Sequence, residues 1–153
     1  MGTRSSIAIK TEDGIKAIYC HWDGYVDHNG RILKEHYDTP SKVADLIALG
    51  DLSSLRQEIG QVHSFDADRG PEPELGLTDD WCVAYGRDRG ETGTEAQTFK
   101  TIAEWVEAEA ERWCEYFYLF DGQDWIVSNG TKDSSGCFEF DFLEVAILNE
   151  IVA

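Results

Sequence analysis

Two short segments hold most of the side chains whose types and spacing could do chemistry. Tyr19-Cys20-His21-Trp22-Asp23-Gly24-Tyr25 sets a histidine two residues before an aspartate, flanked by aromatic rings. At a strand end this pairing could present acid and base groups at a cleft, with Trp22 or Tyr25 as a stacking wall. The plainer alternative is an Asp-Gly turn with its aromatics in the core. The second segment, Tyr85-Gly86-Arg87-Asp88-Arg89-Gly90-Glu91, carries two arginines flanked by glycines. Guanidinium groups suit bidentate recognition of phosphate or carboxylate, although Asp88, Glu91 and Glu95 are local partners of equal competence. Arg4 adds a third arginine that a sheet could bring near the other two. The candidate ligand-binding set is therefore Arg4, His21, Trp22, Asp23, Tyr25, Arg87 and Arg89. A pocket built from it would gather Trp22, Tyr25, Arg4 and Arg87 around one concave site. No nucleophile elbow, P-loop, dinucleotide fingerprint or HExxH is present. No catalytic residue is assigned and no cofactor is expected.

The charge pattern points elsewhere. Of 153 residues, 30 are acidic and 13 basic, a formal net charge of −17. Residues 1–63 hold 9 acids against 7 bases, whereas residues 64–153 hold 21 against 6. Direct attraction to nucleic-acid phosphates or anionic lipid is not expected for such a surface. Glu104, Glu107, Glu109 and Glu111 crowd one helical segment, with Glu104, Glu107 and Glu111 spaced as a stripe. Carboxylates on helical ridges lie about 5–6 Å apart, comparable with phosphates along one strand. A stripe of this kind can compete for a basic nucleic-acid channel. The alternative is a face that is merely solvated. Asp66, Asp68, Asp79 and Asp80, in an acidic loop over residues 64–80, extend the candidate partner-binding set of Glu104, Glu107 and Glu111.

The four cysteines are widely spaced and none forms a CxxC pair, so reduced, buried thiols are expected and no metal site. The first residues lack an apolar stretch long enough for a signal peptide, and no run approaches a membrane span. A cytoplasmic protein is expected.

The elements that must position these groups suit one α+β domain over residues 1–153: an antiparallel sheet of about five strands with helices packed on it. Runs 5–11 and 15–22 flank Glu12-Asp13-Gly14, a hairpin signal. Residues 28–37 show helical spacing, and Thr39-Pro40 reads as an N-cap followed by proline at the first helical position. A short helix is expected over 53–59, a strand over 81–86 and a loop over 87–94. Residues 101–113 form the clearest helix, with Ile102, Trp105, Val106 and Trp113 as its buried face. Runs 114–120 and 125–128 make a second hairpin around Asp121-Gly122-Gln123. Phe138, Phe140 and Phe142 alternate as in a strand, and helical spacing follows over much of 141–152.

Gly2-Thr3-Arg4-Ser5, Tyr19–Tyr25, Leu46-Ile47-Ala48-Leu49-Gly50-Asp51 and Arg87-Asp88-Arg89-Gly90-Glu91 together resemble a group of small bacteriophage and prophage proteins. The resemblance spans most of residues 2–95 and brings no established activity. It implies a phage accessory gene acting in the cytoplasm of an infected bacterium, where small acidic proteins often inhibit host defence, sometimes by resembling DNA. The expected function is binding to a basic host protein or nucleoprotein complex of CRISPR or restriction type, with no direct nucleic-acid or membrane contact and a homodimer left open. The rival expectation is a protein that binds or cleaves a nucleotide-like small ligand at His21, Asp23, Arg87 and Arg89.

Overall fold

The two hairpins form where glycine-containing turns interrupt apolar runs. Strand β1 (Arg4–Thr11) pairs antiparallel with β2 (Gly14–Cys20), and β6 (Cys114–Phe120) with β7 (Trp125–Ser128). In the second turn, Asp121 Oδ1 accepts the backbone N–H groups of Gln123 and Asp124 at 2.9 and 2.8 Å, an Asx-type closure. The computed structural model describes residues 2–62 and 80–152.

The hairpins join through β1 and β6, which run parallel with Ile7 opposite Tyr118. Four short strands complete the sheet: β3 (Leu52–Ser54), β4 (Val83–Ala84), β5 (Gln97–Phe99) and β8 (Asp141–Phe142). The order is β4-β3-β2-β1-β6-β7-β8, with β5 antiparallel against the start of β2. The expected antiparallel sheet of five strands is thus a mixed sheet of eight, parallel at β1–β6 and β2–β3. Strands of two or three residues carry no readable periodicity. Pairing between segments about a hundred residues apart is set by packing, which hairpin signals do not report.

Both faces of the sheet are covered. Ile7, Ile18, Tyr118, Phe120, Trp125 and Val127 point to one core, shared with α1 (Arg31–His36), α2 (Pro40–Ala48) and α5 (Leu143–Val152). Ala8, Ala17, Phe117 and Leu119 point to the other, where α4 (Ile102–Ala110) supplies Trp105 and Val106. The indole N–H of Trp105 donates to Ser6 Oγ and that of Trp125 to the Tyr37 carbonyl, so both buried rings keep a hydrogen bond. Thr39 caps α2 as its sequence indicates, accepting the Lys42 N–H at 3.3 Å. A single π-helical turn, Val26–Gly30, leads into α1.

Three local expectations are corrected. Residues 53–59 are not a helix, because Leu52 and Leu55 are fully buried and Leu52 pairs with Cys20. The strand over 81–86 is only Val83–Ala84, and Arg87–Arg89 lie in a short helix, α3 (Tyr85–Arg89), rather than a loop. Asp88 makes this helix by reaching back to the Ala84 N–H at 2.8 Å, and Gly90, with φ of 74°, ends it. Trp113 is not part of the buried face of α4. It stands 75% exposed with φ of 69°, at the left-handed position where a helix usually ends on glycine.

Candidate functional site

A groove of about 510 Å³ opens where the end of β2, the end of α4 and the segment after α3 meet. Arg4, Tyr19, His21, Asp51, Arg112 and Trp113 line it, with Tyr85 and residues 91–94 along the far side. Asp51 organises its floor. Its backbone N–H donates to the Thr94 carbonyl at 2.7 Å, and its carbonyl accepts the Tyr85 N–H at 3.2 Å. Its carboxylate accepts the Tyr19 N–H at 2.9 Å and Arg112 at 3.0 Å. Gly50 permits this approach, since a Cβ there would lie 2.3 Å from the Thr94 carbonyl oxygen.

Arg112 is the wall. It joins Asp51 to Glu109 at 3.1 Å and lies over the Tyr19 ring, 4.3 Å from the centroid. Glu109, grouped above with the acidic residues of its helix, is buried. Its Oε2 has no hydrogen-bond partner, because the one proton of Ser6 is directed to the Ile18 carbonyl. Burial pushes the Glu109 carboxyl above its ordinary range, opposed by Arg112.

The Tyr19 hydroxyl lies 2.9 Å from His21 Nδ1, and the Arg4 charge acts on both groups. With the ring proton of neutral His21 on Nε2, the Tyr19 hydroxyl donates to Nδ1; with it on Nδ1, the direction reverses. Burial, then the Arg4 charge, lowers the His21 pKa, which keeps the ring neutral near pH 7.

Of the candidate ligand-binding residues, the groove gathers Arg4 and His21 together with Tyr85 and Glu91 of the second motif. The others lie elsewhere. Asp23, with φ of 57°, sits in a turn whose carbonyl accepts the Asn29 N–H, and its carboxylate faces His28 at 4.0 Å. His21 and Asp23 therefore turn to different partners and form no acid–base pair. Trp22 packs edge-on against His21, with centroids 4.7 Å apart. Tyr25 lines a separate shallow cavity with Thr3, Glu115 and Asn129. Arg87 is a structural residue: it donates to the Ile59 and Cys82 carbonyls at 2.7 and 2.8 Å and pairs with the fully buried Asp88 carboxylate. Arg89 pairs with Glu91 and lies over the Tyr85 ring.

The sequence reading missed Asp51, Arg112, Glu109 and Asn29. One signal was available for Arg112, the sole base between Lys100 and Lys132. Asn29 carried none. It is fully buried, and its amide donates to the Trp22 carbonyl at 3.2 Å, holding the aromatic turn closed.

The acidic face is the second candidate. Glu104 and Glu107 are exposed on α4, Glu111 is exposed at its C-cap, and Asp80 is exposed too. Asp66, Asp68 and Asp79 lie outside the described residues. Glu104 has a structural task as well: Thr101 accepts the Glu104 N–H at 3.1 Å while the Glu104 carboxylate accepts the Lys100 N–H at 3.2 Å, a variant of the capping box. Among the described residues no helix is long and apolar enough to cross a membrane. Compared with protein-family models, curated proteins and solved structures, the chain matches none.

Proposed function

We propose that this is a binding protein whose acidic α4 face engages a basic, nucleic-acid-handling protein, in the manner of a small phage inhibitor of a host defence complex. The observation that supports the reading is Trp113 beside that face. A large ring held exposed in a left-handed conformation costs about 1–2 kcal/mol of backbone strain, and such rings are the usual anchors of protein interfaces. The acidic stripe supplies steering, with Glu111 only two residues from the ring. Glu107 and Glu111 are free of the capping role of Glu104 and are the residues to reverse.

The test is a pull-down from bacterial lysate at low and high salt, followed by competition of the recovered protein with its own nucleic acid. Recovery of a nucleic-acid-binding protein at low salt, its release at high salt, and its displacement by DNA are expected. The double variant Glu107→Lys with Glu111→Lys should associate more slowly, because exposed charges act on the encounter rate. A partner that binds this variant as fast as the wild type, or that binds without regard to salt, refutes the reading.

A further inference from the structure

The groove at the end of α4 differs in character from the acidic face beside it. Its carboxylates are already engaged: Asp51 by Arg112 and the Tyr19 N–H, and Glu91 by Arg89. Its cations are not evenly matched to them. Arg112 spends its charge on Asp51 and Glu109, whereas Arg4 has no carboxylate within ion-pair distance among the described residues, in a chain of 30 acids. The hydrogen-bonding capacity left over is donor-rich. It comprises the Arg4 N–H groups, the ring N–H of the His21 tautomer protonated on Nε2, and the hydroxyls of Thr92 and Thr94. Aromatic surface surrounds these donors on three elements, from Tyr19 on β2, Tyr85 on α3 and Trp113 after α4.

Donors without acceptors call for an oxyanion, and ring faces call for a planar group. We infer that this groove binds a small phosphate monoester carried on an aromatic body, with Arg4 and His21 on the phosphate and Trp113 against the ring. The groove's volume, about 510 Å³, lies within the range of small-molecule sites. Arg4 is suited to the task because no carboxylate among the described residues lies within ion-pair distance to cancel its charge, and the desolvation of such a half-buried guanidinium is a cost that a bound phosphate relieves. The site shares Trp113 with the proposed interface but uses neither Glu107 nor Glu111, so Arg4→Gln tests it independently of that reading.

The experiment is calorimetric titration of the full chain with AMP, adenosine and inorganic phosphate, with the indole N–H of Trp113 followed by NMR. AMP should bind at least about tenfold more tightly than either fragment, as a charge-assisted hydrogen bond gained only with the ester implies. The Trp113 indole signal should shift with AMP and adenosine and not with phosphate. Arg4→Gln, which keeps the backbone pairing of β1, should lose about tenfold or more in AMP affinity. Trp113→Ser, at an exposed position, should weaken AMP while leaving phosphate unchanged. The inference is overturned if AMP fails to bind at millimolar concentration, if it binds no better than adenosine, or if the folded Arg4→Gln protein binds it as the wild type does.

Discussion

Replacing Arg112 with methionine tests whether the groove wall is an electrostatic assembly. Methionine keeps the apolar stem against Tyr19 and removes only the charge. Two carboxylates then lose their cation: Glu109, whose side chain is 4% exposed, and Asp51, at 13%. They are not affected alike. Asp51 still accepts the Tyr19 N–H at 2.9 Å, whereas Glu109 is left with no donor on either oxygen. Removing one member of a buried ion pair costs about 3–5 kcal/mol. Arg112 itself is 39% exposed, and solvent screening lowers the expectation to about 2–3 kcal/mol near pH 7. For a chain of this length that is a fall in Tm of about 4–12 °C. The loss should depend on pH in a defined direction. Burial already raises the Glu109 pKa, and the Arg112 charge and hydrogen bond oppose it, so the variant raises it further. A carboxyl whose folded pKa lies above its unfolded value favours the fold when protonated, so stability falls as pH rises through that window. The penalty should therefore shrink from neutral to mildly acidic pH as Glu109 takes up a proton. Urea denaturation at both pH values measures this, with Glu109→Gln in the Arg112→Met background as the partner variant. An equal loss at both pH values, or a double variant no more stable than Arg112→Met at neutral pH, refutes the reasoning.

Further outcomes follow from single positions. Trp113→Gly should raise stability by about 1 kcal/mol, by relieving a left-handed backbone at an exposed site, while abolishing the indole-dependent binding; thermal denaturation beside AMP titration separates the two. Gly50→Ala should destabilise by about 2 kcal/mol or more, because φ is 77° and the new Cβ would meet the Thr94 carbonyl at 2.3 Å; a neutral result in denaturant would show that the 94 segment yields readily. Of the four cysteines, exposed Cys137 should react first with a thiol reagent. Burial pushes Cys20 up to about 12 and also raises Cys82 and Cys114, and thiolate is the reactive form. Cys137→Ser should remove the fast phase, and its persistence in a native-state assay would count against that burial.

What the chain order announces is local. Both hairpins, the Thr39-Pro40 start of α2, the start of α4 at Thr101 and the helix at 143–152 are legible because a turn, a cap or a spacing is written in neighbouring residues. The α+β class follows from them. Only the tertiary structure decides what those elements do to one another. Parallel pairing of β1 with β6 joins residues separated by more than a hundred positions, and short strands such as Val83–Ala84 exist only because a partner edge is there. The same holds for the groove. Arg4 and His21 were visible as polar residues at strand ends, but their neighbours come from distant segments: Arg112 carries no motif, and Asp51 stands in one that assigned it no role. Arg87, conspicuous in its Gly-flanked motif, spends its donors on carbonyls that the fold brings to it. Trp113 looked apolar enough for the core, yet its backbone turns left-handed at the helix end and carries the ring outward. Residue type and spacing determine the local elements here. Which polar groups remain unspent, and so available to a ligand, depends on three-dimensional neighbours that no stretch of sequence contains.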